Sequence, residues 1–296
     1  MDSRRAVAFA LLALASLLWS GNWILGRALR EAFDPVSLNF WRWLVAVLSI
    51  APFALGEAWK KRALVRRHAG LLLLLALSGV AAFQTLVYLG LESTTAINAV
   101  LINAAVPLFM VACSWLLDRH RTTVKQVAGM LISLAGIIVI VCQGDAGRLL
   151  TLEFHRGDGW ILLAMPLWGL YSVLLKRCPR ELGGLAFIFV VGALGVAMLA
   201  PFFAVEALRA PVGWPAPAHV ASILYVALAA SVAAFLCWNR GVAIVGANAA
   251  GFTLPLLPAF GTLLAMVFLG ETFRLYHAAG ISTILAGVIL ATRRAA

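Results

Sequence analysis

Apolar residues run along this chain in segments too long for half-buried strands or for the single stripe of a surface helix. Stretches of about 17 to 25 residues fall near 6–27, 36–56, 70–90, 96–117, 125–142, 159–176, 184–205, 219–239, 247–269 and 277–292. A tilted helix needs that length to cross roughly 30 Å of hydrocarbon, so the pattern predicts an all-α integral membrane protein with ten transmembrane helices. The breaks coincide with charged and turn residues: Asp34-Pro35, the cluster from Lys60 to Arg67, Glu92, Asp118 to Arg121, Gln143 to Asp158, Lys176 to Glu181, Pro211/Pro215/Pro217, Arg240 and Glu271. No connection is long enough to hold a soluble domain. Arg4 and Arg5 ahead of the first run suggest a signal peptide. The run continues through Trp19 and Trp23 to Arg27 without a small-residue cleavage site, however, so it reads as an uncleaved first helix.

The second half of the pattern repeats the first. Trp19 meets Trp168 and Arg27 meets Lys176 at an offset of 149; Tyr88 meets Trp238 and Asn98 meets Asn248 at 150; Pro107 meets Pro258, Gly129 meets Gly280 and Leu134-Ala135-Gly136 meets Leu285-Ala286-Gly287 at 151. Two five-helix units follow, residues 1–145 and 146–296. Five is odd, so the second unit enters the membrane from the opposite side. Inverted repeats around a central cavity are a transporter architecture, with substrate near the midplane and alternating access by rocking.

Composition narrows the class. Of 296 residues 63% are hydrophobic and 12% charged, about half the charged share of a soluble domain. Soluble, disordered, collagenous and disulfide-scaffold classes are excluded. A net charge of +11 suggests nucleic acid in a soluble chain, but here it resolves into sidedness. With ten spans and the N-terminus inside, 16 of the 23 Lys and Arg fall on inner segments, six on outer loops, and Arg42 alone within a span. This bias predicts both termini in the cytoplasm and no nucleic-acid partner. Cys113, Cys142, Cys178 and Cys237 have neither CxxC nor zinc spacing and read as small apolar fillers, so neither metal nor cofactor is expected.

Trp19-Ser20-Gly21-Asn22 in the first span, Arg42 in the second, Pro258 followed by Gly270-Glu271, and the final run from Gly280 to Leu290 resemble the EamA-type exporters of the drug/metabolite transporter superfamily, over essentially the whole chain. Aromatic-rich bacterial amino-acid exporters look closest. The resemblance implies two inverted five-helix bundles around a central cavity in the bacterial inner membrane. It implies outward movement of amino acids, aromatic ones included, and of related small metabolites. Where the second repeat has Glu271, the first has His120, a departure that leaves the acidic position without a first-half counterpart.

Candidate residues follow from what a bilayer penalises. Arg42 is the one clear ionisable group inside a span: it either meets a substrate carboxylate or snorkels and bonds carbonyls of a neighbouring helix. Trp19, Asn22 and Trp23 share one side of helix one, and Trp168 with Tyr171 lies at similar depth in the second unit, so stacking on a substrate from both halves competes with plain helix packing. Trp41, Trp43, Trp160 and Trp214, near span ends, read as interfacial belt or helix packing. Tyr88 and Trp238 are repeat partners toward opposite faces, either gates or packing residues. Asn39, Gln84, Asn98, Asn103 and Asn239 favour protein interior or a wet cavity over lipid. Pro107, Pro166, Pro255 and Pro258 permit kinks. The small strips Gly129/Gly136 and Gly280/Gly287 suit close packing, within the chain or between two copies.

No Asp or Glu lies deep in a span, and all five histidines fall in loops or at span ends. That predicts weak or absent proton coupling through side chains and argues against an enzyme, which needs a base or nucleophile in register. The expected partners are a small-molecule substrate, amino acids above all, and the lipid bilayer, with the protein a monomer or weak homodimer. Two other readings are a carrier of a phosphorylated or nucleotide-linked metabolite, and a membrane-embedded enzyme or scaffold. The first calls for several cavity cations where only Arg42 qualifies, and the second for catalytic groups that are missing.

Overall fold

The computed structural model describes residues 3–29, 32–94, 96–120, 122–145, 147–179, 181–209, 216–269 and 274–292. Gly270-Glu271, Trp214, Pro211, Pro215 and the C-terminal Arg293-Arg294 lie outside the described residues. Among the described residues ten helices are long and apolar enough to span a membrane, and each predicted segment has one within a few residues of its place. They are α1 (Ser3–Gly26), α2 (Pro35–Lys60), α3 (Ala69–Ser93), α4 (Asn98–Asp118), α5 (Val124–Val141), α6 (Arg156–Arg177), α7 (Gly184–Leu208), α8 (His219–Val245), α9 (Ala247–Leu264) and α10 (Leu275–Thr292). Large apolar side chains stand out from the bundle, Phe53 77% and Phe202 64% exposed, as a lipid-facing surface requires.

Four of the helices depart from regular α geometry, and they do so in pairs. α3 carries a π-helical stretch at Leu77–Ala82 and α8 one at Tyr225–Ala233. α4 is interrupted at 104–105, immediately before Pro107, and α9 at 252–255, immediately before Leu256 and Pro258. Proline has no N–H to donate and its ring crowds the preceding turn, so the chain restarts its helix there. Pro166, by contrast, sits inside an uninterrupted α6.

Contacts between the halves exchange in the same way. α1 packs on α8 and α9, while α6 packs on α3 and α4; α2 lies along α7, and α5 along α10. The last pair is the tightest. A Cβ at Gly129 would stand 2.6 Å from the Gly287 carbonyl, and one at Gly136 2.7 Å from that of Gly280, so only glycine lets these backbones touch. The small-residue strips are thus spent on each other within one chain.

Polar contacts divide the loops into two faces. On the face carrying both termini, Arg5 reaches the Thr292 carbonyl, Arg177 pairs with Asp118 at 3.2 Å, Lys176 pairs with the same carboxylate, and Lys61 pairs with Glu57 at 2.5 Å. On the opposite face, Ser37 donates to Glu206 and Asn98 to Asp158. Every one of these contacts joins segments that ten spans assign to the same side.

Candidate functional site

The two helix interruptions border one narrow cleft inside the bundle, closed down in this state to about 30 Å³, room for about one water molecule. Asn103 and Val106 border it from the break in α4, Leu254 and Leu257 from the break in α9. α1 contributes Trp19, Asn22 and Trp23; α3 contributes Phe83 and Gln84; α6 and α8 add Trp168 and Phe235. Ser20 of α1 lies 2.8 Å from the carbonyl of Leu257, in the first turn of α9 after its break, and ties α1 to the resumed helix. Gln84 and Asn103 are each 7% exposed and make no hydrogen bond among the described residues. Both side chains line the cleft, so their amides are free to bond a polar group that enters it.

Toward the face with the termini the cleft ends on aromatic rings. Trp19 lies edge-on to Trp168 with centroids 5.0 Å apart, and Trp238 closes the triangle at 5.4 Å from Trp19 and 5.6 Å from Trp168. Tyr171 stacks on Trp168 at 5.2 Å, and Phe235 packs edge-to-face against Trp19 and Trp168. Trp238 donates to Ser172 at 3.3 Å and Tyr171 to Asn239 at 3.0 Å, which satisfies the polar ends of two otherwise buried rings.

Toward the other face lies a polar knot. The Arg42 guanidinium, 1% exposed, donates Nε to Ser231 at 2.5 Å, Nη2 to the Ala230 carbonyl at 3.1 Å, and Nη1 to Asn22 Oδ1 at 3.3 Å and to the Tyr88 hydroxyl at 3.2 Å. Tyr88 in turn donates to Asn22 Oδ1 at 3.1 Å. The π-helical stretch of α8 makes this possible: widening the turn exposes the Ala230 carbonyl, which also accepts Trp19 Nε1 at 3.0 Å, while Ser231 hands its own proton to Val226. The matching stretch of α3 offers the Val80 and Ala81 carbonyls to Asn39. Among the described residues every hydrogen-bond partner of Arg42 is a neutral oxygen, and its guanidinium also stands 5.9 Å from the centre of the Trp43 ring.

Of the ten residues singled out in the sequence, Trp19, Asn22, Trp23, Gln84, Asn103 and Trp168 line the cleft together. Arg42 and Tyr88 stand one hydrogen bond behind Asn22, and Tyr171 and Trp238 lie behind the aromatic wall. Arg42 does bond a carbonyl of a neighbouring helix, as one of its two readings holds. Trp43 is 1% exposed and packs on Phe235 at 5.1 Å, so of the two readings for the span-end tryptophans it takes helix packing and not the interfacial belt. Val106, Leu254, Leu257, Phe83 and Phe235 were missed, because an apolar side chain in an apolar span carries no mark of its own. The prolines one residue after Val106 and Leu257 were the available signal.

Asp158 is a correction, since the sequence places it in a loop, whereas it sits in the first turn of α6 and is fully buried. It accepts from Asn98 at 2.7 Å, from the His155 backbone N–H at 2.8 Å and from Thr94. The spacing of His155 and Asp158, three residues apart at a helix start, is a capping pattern that could have located it.

The sequence pattern of the EamA-like transporter family matches residues 6–142 and again residues 155–293. An uncharacterized transporter of Archaeoglobus fulgidus is 31% identical over 96% of this chain and 96% of its own length. A probable terminal-alkyne amino-acid exporter of Streptantibioticus cattleyicolor is 26% identical over 96% of this chain and 92% of its own. A protein solved by crystallography superposes with a TM-score of 0.73 over 97% of this chain and 96% of that one, at 21% identity, a likeness of fold.

Proposed function

Because the chain belongs to the EamA-like transporter family and is a multi-pass membrane transporter, we propose that it exports amino acids, aromatic ones included, together with related small metabolites. The observation that carries this reading is the cleft itself. Indole faces from both halves, Trp19 and Trp168, stand beside the unbonded amides of Gln84 and Asn103, which suits a solute with a flat apolar body and a polar head. The Streptantibioticus relative, named a probable exporter of an amino acid, supports the same substrate class.

In this reading the two five-helix units, 1–145 and 146–296, are inverted repeats that rock about the α5/α10 and α2/α7 contacts, with the termini in the cytoplasm of a bacterial inner membrane. The aromatic wall closes the cleft toward the termini, and Tyr88 and Trp238 act at its two ends. No cofactor takes part, and the buried centre offers no catalytic base. The test is counterflow in proteoliposomes against a panel of labelled amino acids. Accumulation of an aromatic amino acid, little changed by an imposed pH gradient, is expected. Failure of every amino acid to accumulate would sink the assignment, and a steep pH dependence would remove the uncoupled mechanism.

A further inference from the structure

Arg42 places a full positive charge in the bundle, and among the described residues it is held by neutral oxygens and the face of Trp43, with no carboxylate. Carboxylates of the described spans, at Glu57, Glu92, Asp118, Asp158 and Glu206, all fall within the last or first four residues of their helices. Each break in α4 and α9 brings one helix N-terminus and one C-terminus to the cleft, so the two ends' dipoles oppose each other and Arg42 sets the sign of the field. Asn22 stands between this charge and the cleft. With its oxygen committed to Arg42 and Tyr88, its Nδ2 amide has no partner among the described residues and is the donor left for the cleft it lines.

We propose that Arg42, acting through Asn22, makes the cleft selective for solutes bearing a carboxylate, with the carboxylate accepting from Asn22 Nδ2 and the guanidinium behind it as counter-charge. The inference rests on the amino-acid reading above and adds the orientation and charge class of the substrate. Once the two units rock the cleft open, the carboxylate end points to the polar knot, and the apolar body lies over Trp19 and Trp168. A guanidinium about 7 Å from the carboxylate, at an effective dielectric of about 20, changes affinity by roughly tenfold or more. The same field opposes an amine that lacks the carboxylate. Asn22 is a contact residue in this scheme; Arg42 is a positioning residue that works through it.

The experiment measures binding to the purified full-length protein by tryptophan fluorescence, with three ligands that share one phenyl body: phenylalanine, 3-phenylpropionate and phenethylamine. The two carboxylates are expected to bind at least about tenfold more tightly than the amine. Asn22→Asp, which removes the donor and neutralises Arg42 without changing size, is expected to bring that ratio to one or below. Phenethylamine binding as well as phenylalanine overturns the charge assignment while leaving the amino-acid reading intact. No binding by any of the three overturns both. An undiminished carboxylate preference in folded Asn22→Asp removes the role of Asn22. Where that variant does not fold, the ligand series on the unmodified protein decides alone.

Discussion

Asn22 with Tyr88 and Ser172 with Trp238 are similarly placed pairs in the two halves, one residue out of strict register at Ser172, each joining the first and third helices of a unit across 66 residues. In the first pair a phenol bonds an amide, and Arg42 fastens both to α8. In the second an indole bonds a hydroxyl, and the surroundings are rings: Trp19, Trp168, Tyr171 and Phe235. The position that matches Arg42 at an offset of 150 is Gly192, which makes room for Trp43. A repeated backbone has therefore been given a charged end and an apolar end, which is what a site needs in order to hold an amphipathic solute in one direction.

Variants that strike the two ends differently test this contrast. Trp238→Ala should have the largest effect, because a buried indole leaves a hole its neighbours cannot fill; a loss of about 3–5 kcal/mol is expected, read as a lowered unfolding temperature in detergent. A tolerant response would mean the rings form an adaptable lining and not a packed wall. Ser231→Ala comes next. It leaves Arg42 Nε without its 2.5 Å acceptor, and hydrogen bonds to charged groups are worth about 1.5–3 kcal/mol. An unchanged midpoint in that variant would show that the guanidinium finds another oxygen. Tyr88→Phe removes one donor and one acceptor from the knot, with an expected cost of about 1–2 kcal/mol and a fall in amino-acid counterflow. Ser172→Ala, which gives up a single 3.3 Å bond, should cost about 1 kcal/mol or less and leave counterflow close to normal. If the last two variants prove equal in both measurements, the two ends are not chemically distinct.

Hydropathy alone located all ten spans, since the bilayer penalises every polar residue within a span. The repeat was legible for the same reason that the structure shows paired irregularities. Pro107 and Pro258 mark the two breaks, and Tyr88 and Trp238 each stand about one and a half turns past a π-helical stretch. Less visible was what each residue faces. Trp43 and Trp160 look alike near span ends, yet the first is buried against Phe235 and the second is 43% exposed. Membrane helices are apolar on every side, so periodicity does not separate a lipid face from a core face, as it does in water-soluble helices.

What the sequence determined by itself is therefore the set of spans, the loops that share a face, and the polar residues that had to be hidden from lipid. Those follow from transfer free energies, which depend on residue type and run length. The tertiary structure decided where the hidden groups meet. It joined the breaks of α4 and α9 into one cleft, turned the carbonyl of Ala230 to Arg42, and put Asn22 between that charge and the open space. These are relations among helices far apart in the chain, fixed by packing and by the directions of individual hydrogen bonds, and no local pattern of residues encodes them.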